Sequence, residues 1–186
     1  MVIARAADLG KTGHESVGEL AADADFLQRL KAIWVEAGLK MQLRRKNGSL
    51  MSAADIAQSE TLPKVCIISA ARSGADLAVR YFTPQTVHAS LAVSGGCCLA
   101  AATLVPGSVA HELAPKQAAA QLGEIKVDIE NPAGILSTTV VASMEGHALR
   151  IASAAYQRSA QVLLKGYVPL PAASAALRAA LAQRAG

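Results

Sequence analysis

The residues best suited to chemistry lie in Val87–Pro106, VHASLAVSGGCCLAAATLVP, the one long charge-free apolar stretch of the chain. Within it, Ser94-Gly95-Gly96 reads as a turn that runs straight into a helix beginning at Cys97-Cys98-Leu99-Ala100-Ala101-Ala102. Glycine supplies the backbone freedom of a sharp turn, and the first N–H groups of a helix have no acceptor within it. They point outward at the positive end of the helix dipole, where a carboxylate or phosphate can sit. Two readings of the glycine pair stand together: a carboxylate nest completed by the Ser94 hydroxyl, or two small residues required for close packing.

The neighbouring groups carry similar alternatives. His88 could donate to a substrate carboxylate and titrates in a range suited to an acid; a structural histidine is the other reading. Cys97 falls in the first turn of the expected helix, where the dipole favours a thiolate. Adjacent cysteines point in different directions, so at most one of Cys97 and Cys98 faces a pocket, and both could simply be small buried hydrophobes. Arg80, Arg72 and Lys11 are further anion partners, the arginines because a guanidinium clamps a carboxylate with two hydrogen bonds. A surface position is the alternative for each.

Other site chemistries are disfavoured by spacing. His14, His111 and His147 have no metal-ligand spacing with one another or with the cysteines, so no metal site is expected. Gly10-Lys11-Thr12 follows a strand-like run, but a phosphate loop needs glycine five positions before Gly10, where Arg5 stands.

Composition bounds the rest. The 186 residues suit one domain with a real core, and 52% hydrophobic against 17% charged residues argues for a packed globule. Aromatics are only 3%, so that core is aliphatic. A net charge of +4 would permit nucleic-acid binding, but the basic residues are dispersed and stacking partners are scarce. The Arg44-Arg45-Lys46 run reads as a solvated loop. Three cysteines, two of them adjacent, are poor material for a disulfide framework, and Arg5 and Asp8 interrupt any early signal-peptide core. A cytoplasmic protein with reduced thiols is expected. His88 to Pro106 is also too short and too rich in Ser and Gly to span a membrane, so a central helix covered on every face is expected there.

The elements that must position these groups follow in order. Met1–Ala7 reads as a strand. Asp23–Leu43 carries Phe26, Leu27, Leu30, Ile33, Trp34 and Ala37 at helical spacing, with Asp23 or Asp25 as cap and Trp34 in the core. Residues 44–62 read as a loop with at most a short helix. Lys64–Ala70 and Leu77–Phe82 form an antiparallel hairpin about Ser73-Gly74. Val109–Leu113 is either the end of the helix layer or an extended link. Glu124–Glu130 alternates like a half-buried strand, and Ile135–Ser143 returns after Asn131-Pro132-Ala133-Gly134. Leu149–Leu164 is ambiguous: its alanine content favours helix, but Gly166-Tyr167-Val168-Pro169 beyond it reads as extended, and Ala172–Gly186 as a loosely attached helix.

Several stretches belong together: Ala4-Arg5-Ala6-Ala7-Asp8-Leu9-Gly10 with Gly13 and Glu15, Leu62-Pro63-Lys64-Val65, Val79-Arg80-Tyr81-Phe82-Thr83-Pro84, His88 with Ala92-Val93-Ser94-Gly95, Pro106-Gly107-Ser108-Val109, and Gly166-Tyr167-Val168-Pro169. In this order they resemble the PrpF family of methylaconitate isomerases and oxalomesaconate tautomerases. The resemblance covers about residues 2–171 and only the second half of such proteins. It implies an α+β, diaminopimelate epimerase-like lobe over 1–171, a mostly antiparallel sheet wrapped about a central helix, with 172–186 as a tail.

The implied activity is a cofactor-independent double-bond shift on a small unsaturated di- or tricarboxylate, by proton transfer in a closed cleft. The resemblance also implies that the lysine and cysteine of proton transfer belong to the absent half. Ser94, Gly95, Gly96, His88, Arg80 and Lys11 would then line one wall. The partner would be a missing first lobe or a second copy. A truncated remnant that only binds a carboxylate is the other expectation.

Overall fold

The computed structural model describes residues 1–146, 148–157, 161–166 and 172–184. Seven strands form one sheet in the order β1-β2-β3-β5-β6-β7, with β4 paired to β3. They are β1 Val2–Arg5, β2 Val65–Ser69, β3 Leu77–Thr83, β4 Thr86–Val87, β5 Gly123–Asn131, β6 Gly134–Glu145 and β7 Ala148–Tyr156. β1 runs parallel to β2 and β3 parallel to β5; the remaining pairings are antiparallel.

Alternation along these strands splits the core in two. Cys66 and Ile68 of β2 and Leu77, Val79 and Tyr81 of β3 face one way, with Val127, Ile129, Val140 and Ala142. Val65, Ile67 and Phe82 face the other. The first face is covered by α4 (Val93–Ala102) and α5 (Val109–Leu113); the second carries α1 (Val17–Ala22), α2 (Ala24–Lys40) and α3 (Ala53–Gln58). The sheet curls so that α4 meets β5, β6 and β7 as well as Tyr81. The architecture is mixed α+β, as the family resemblance implies.

Local chemistry sets the helix ends. Ser16 and Glu19 form a capping box at α1, Asp23 accepts from the Phe26 N–H at α2, and Ser52 with Asp55 forms a second box at α3. The α2 face bearing Phe26, Leu30 and Trp34 is buried, as its spacing predicts. The 44–62 segment holds α3 as its one helix, and Val109–Leu113 is helical, capped by Ser108.

Three expectations change. The central helix starts at Val93, with Ala92 as its cap, so Ser94-Gly95-Gly96 is its first turn and not a turn before it. It is not covered on every face either: Val93 is 42% exposed, and Ser94 and Cys98 are exposed, leaving one flank open. Ala148–Tyr156 is a strand, not a helix, because pairing with β6 and packing against α4 outweigh alanine's intrinsic preference. Ala175–Arg184 forms the exposed helix α6, on which Leu177 and Leu181 remain nearly half exposed. His147 and Tyr167-Val168-Pro169 lie outside the described residues.

Candidate functional site

A pocket of ≈210 Å³ opens beside the first turn of α4. Ser94, Gly95 and Cys98 form its helical wall, Tyr81 its back, and Lys64, Pro63 and Leu62 the opposite side, with Met41 and Leu43 at the rim. Residues 94 and 98 are one helical turn apart, which is why this thiol shares a face with Ser94. The first intrahelical bond runs from Gly96 N–H to Ala92 C=O at 2.8 Å, so the N–H groups of Val93, Ser94 and Gly95 precede the ladder. Ala92 offers no side-chain cap, whereas Ser16, Asp23, Ser52 and Ser108 cap α1, α2, α3 and α5.

The surrounding groups add donors. Lys64 is half-buried and makes no ion pair among the described residues. The Tyr81 hydroxyl is buried with no hydrogen-bond partner among the described residues, and burial pushes its pKa up, keeping it a neutral donor. Ser94, Gly95 and Lys64 set polar groups beside an otherwise mostly apolar lining, which suits a small carboxylate. The glycine pair has a packing reason as well: Gly95 lies against Tyr81, and Gly96 against the ring of Tyr156, whose hydroxyl donates to Leu91 C=O at 3.2 Å.

The other expected residues fall elsewhere. Gly96 and His88 do not line the pocket. His88 closes the turn before α4, its Nδ1 lying 2.9 Å from the Ser90 carbonyl and 3.0 Å from the Ser90 N–H, and its ring stands edge-on to Tyr81 at 5.8 Å. Cys97 points the other way, its Sγ 3.7 Å from the Ala154 carbonyl on β7. Burial pushes its pKa up, the reverse of the dipole-lowered thiol expected from its place in the first turn. Cys66 is fully buried and its thiol pKa is pushed far up.

Arg80 alternates with Tyr81 on β3 and therefore faces the opposite side of the sheet. It is buried, with Nε donating to Glu15 C=O at 2.6 Å and an Nη to Val79 C=O at 3.0 Å. Lys11 is also on that side, 2.5 Å from Asp23 and 5.1 Å above the Phe26 ring. Arg72 belongs to the β2–β3 turn, where its N–H donates to Glu130. Lys64 and Tyr81 are polar pocket residues that the sequence did not single out, and of the two cysteines weighed for the pocket it is Cys98 that lines it. Lys64 and Tyr81 stand in stretches that carry the family resemblance, and strand parity would have put Tyr81, not Arg80, towards α4.

A Ser69–His14–Glu130 row has the outline of a hydrolytic triad, with His14 Nδ1 3.3 Å from Glu130 and Nε2 3.4 Å from Ser69 Oγ. Nε2 lies closer to the Ala70 carbonyl, at 3.0 Å, which calls for an N–H there and leaves no lone pair for a serine proton. The other Glu130 oxygen accepts from Arg72 N–H, Ser73 N–H and Ser73 Oγ. The group acts as a clasp between the N-terminal loop, the β2–β3 turn and β5. Among the described residues no group of three His, Cys, Asp or Glu side chains could hold a metal ion, and no helix is long and apolar enough to cross a membrane.

The sheet curls around a helix whose first turn carries no side-chain cap. The chain belongs to the PrpF family, whose description, PrpF protein, matches residues 1–171. It is 34% identical over 168 residues to the 4-oxalomesaconate tautomerase of Pseudomonas putida, covering 90% of this chain and 42% of that one. It is 32% identical over 167 residues to the (4E)-oxalomesaconate Delta-isomerase of a Novosphingobium species, covering 90% and 42%. Among solved structures, a methylitaconate-delta-isomerase superposes with a TM-score of 0.63 at 19% identity, over 83% of this chain and 43% of that one. The chain thus spans less than half the length of the curated relatives it matches.

Proposed function

We propose that residues 1–171 form one diaminopimelate epimerase-type lobe of an isomerase or tautomerase that shifts a double bond in a small unsaturated di- or tricarboxylate without a cofactor. The observation that carries this reading is the free first turn of α4, facing a pocket with Lys64 and Tyr81. Removing a proton from a carbon next to a carboxylate spreads negative charge onto the carboxylate oxygens, and fixed donors lower the cost of that charge. Ser94, Gly95 and Lys64 supply such donors. A proton must also be removed and another delivered, and the raised pKa values of Cys66 and Cys97 make them poor bases. As the family resemblance implies, the acid and base come from a second lobe, separately encoded or belonging to a second copy, that closes over the open flank of α4.

The test is proton exchange in deuterated buffer, followed by proton NMR of 2-methylaconitate, with the mass of the chain in solution measured alongside. Exchange is expected from a dimer or after a first lobe is added, and not from the monomer. Absence of exchange in every assembly, with 2-methylaconitate still shifting the Ser94 and Gly95 amide signals, would leave a carboxylate-binding lobe without turnover. No exchange and no binding would overturn the proposal.

A further inference from the structure

Between α2 and α3 the chain makes a small hairpin, in which Arg44 bridges to Leu50. Arg45 N–H donates to Ser49 C=O at 2.8 Å, and Gly48 N–H donates to Arg45 C=O at 2.9 Å. Asn47 and Gly48 form its exposed tip. Gly48 has a φ of +86°, and the space where a side chain would stand is open.

The Asn47 side chain is folded back across the peptide that follows it. Its Oδ1 accepts from Ser49 N–H at 3.1 Å and from the Ser49 hydroxyl at 2.8 Å, an Asx turn with a second donor. Two donors on this oxygen draw electron density from the amide carbon Cγ, and they stabilise the negative charge that the oxygen carries when a nucleophile adds there. The backbone nitrogen of Gly48 is the nucleophile that closes a five-membered ring onto Cγ, and no side chain at Gly48 hinders it. Arg44, Arg45 and Lys46 precede this peptide, with Arg44 Nη1 donating to Gly48 C=O at 2.8 Å. Positive charge so close favours loss of the Gly48 N–H proton. The hydrogen bond from that N–H to Arg45 C=O must open first, and it lies at an exposed tip, where local opening is easiest. The chain's only other asparagine, Asn131, is buried and precedes Pro132, whose nitrogen has no proton to lose.

We propose that Asn47–Gly48 is a site of self-catalysed deamidation. The Gly48 nitrogen gives its proton to solvent base and bonds to Asn47 Cγ; the Cγ–Nδ2 bond breaks, and the nitrogen leaves as ammonia with a proton from water. Water then adds to either carbonyl of the resulting succinimide, and the ring opens to aspartate or isoaspartate. No electron acceptor or donor takes part. Either product sets a new carboxylate beside Arg44, Arg45 and Lys46, and isoaspartate also adds one carbon to the backbone of the turn. The site is separate from the α4 pocket and does not depend on the isomerase reading.

The test is to hold the full folded chain in mildly alkaline buffer at physiological temperature for several days. The Asn47 peptide should become a mixture of aspartate and isoaspartate forms, separated by chromatography and told apart by electron-transfer fragmentation, while Asn131 stays intact. The rate should rise with pH, because the attacking nitrogen must lose its proton. Ser49→Ala takes one donor from Oδ1 and should slow conversion of the folded chain severalfold, with the circular dichroism spectrum unchanged. An Asn47 still intact in the folded chain when the urea-denatured chain has fully converted would overturn the site. Conversion to aspartate alone would overturn the succinimide route, and an undiminished rate in Ser49→Ala would overturn the part given to the Oδ1 donors.

Discussion

A methyl group on Gly95 would lie 2.5 Å from Cε2 and 2.9 Å from Cζ of Tyr81. The ring is fully buried between α4 and the sheet and cannot swing aside. Gly95→Ala should therefore destabilise the chain by about 1–3 kcal/mol through overpacking, even though alanine in a helix gains about 1 kcal/mol over glycine. Gly96→Ala presses instead on Tyr156, a half-buried residue of the last strand that has more room to yield, and should cost less. Urea unfolding midpoints of the two variants decide this; a smaller loss for Gly95→Ala than for Gly96→Ala would contradict the packing described.

Arg80 separates structural from ligand-binding roles. Its guanidinium ties β3 to the N-terminal loop through Glu15 C=O and sits on the far side of the sheet from the α4 pocket. Arg80→Met should cost about 2–3 kcal/mol, since it leaves a buried carbonyl short of a charged donor. The affinity of the folded variant for 2-methylaconitate, read from the Ser94 and Gly95 amide signals, should not change. A loss of affinity without a loss of stability would return Arg80 to the substrate wall.

Elements written in local chemistry were legible before the structure: the α2 stripe, the β2–β3 and β5–β6 hairpins and the existence of a central helix all follow from period and turn residues. The capping box Ser16–Glu19 follows the S-x-x-E pattern but went unread in the sequence, and α1 with it. The segment Ala148–Tyr156 was not legible, because its strand state comes from β6 and α4 and not from its alanines. Arg80 and Lys11 were misplaced for a related reason. Residue type suggests an anion partner, but strand parity decides which side of the sheet a residue faces, and parity requires knowing where the helix packs. Ser94 and Gly95 could be placed near a helix mouth from sequence, but the packing of the glycine pair against Tyr81 and Tyr156, the other reading of it, depends on long-range contacts.

The Glu130 clasp should make stability depend on pH. Burial works to raise the Glu130 pKa, but hydrogen bonds from Ser73 Oγ and from the Arg72 and Ser73 N–H groups, with His14 alongside, hold it below its ordinary value of 4.5. The His14 and Glu130 side chains are only 9% and 16% exposed. A depressed carboxylate pKa adds stability above the unfolded-state value, and that contribution is lost as pH falls through the folded-state value. Glu130→Gln should therefore cost about 1 kcal/mol at neutral pH, reduced from the full charged hydrogen-bond figure by solvent screening. The gap should close below roughly pH 4. Urea midpoints of both proteins at neutral, mildly acidic and strongly acidic pH give the curve; a gap that persists in strong acid would mean that the ionised carboxylate is not what holds the turn.

The three thiols offer the most direct test of which face of α4 meets the pocket. Cys98 is exposed and lines it, Cys97 is half-buried against Ala154, and Cys66 is enclosed between the sheet and α4. Alkylation needs a thiolate that the reagent can reach, and burial pushes the Cys97 and Cys66 pKa values up. Iodoacetamide near neutral pH should modify Cys98 first, Cys97 more slowly, and Cys66 only in denaturant, an order that fragment-ion mass spectrometry can assign despite the adjacent pair. The carbamidomethyl group then projects beside Ser94 and Gly95 and should abolish the shift of their amide signals by 2-methylaconitate. Cys98→Ala should bind normally and keep binding after the same treatment. Alkylation of Cys97 ahead of Cys98, or unimpaired binding by the Cys98-modified chain, would mean that the carboxylate does not sit on the Ser94–Cys98 face of the helix.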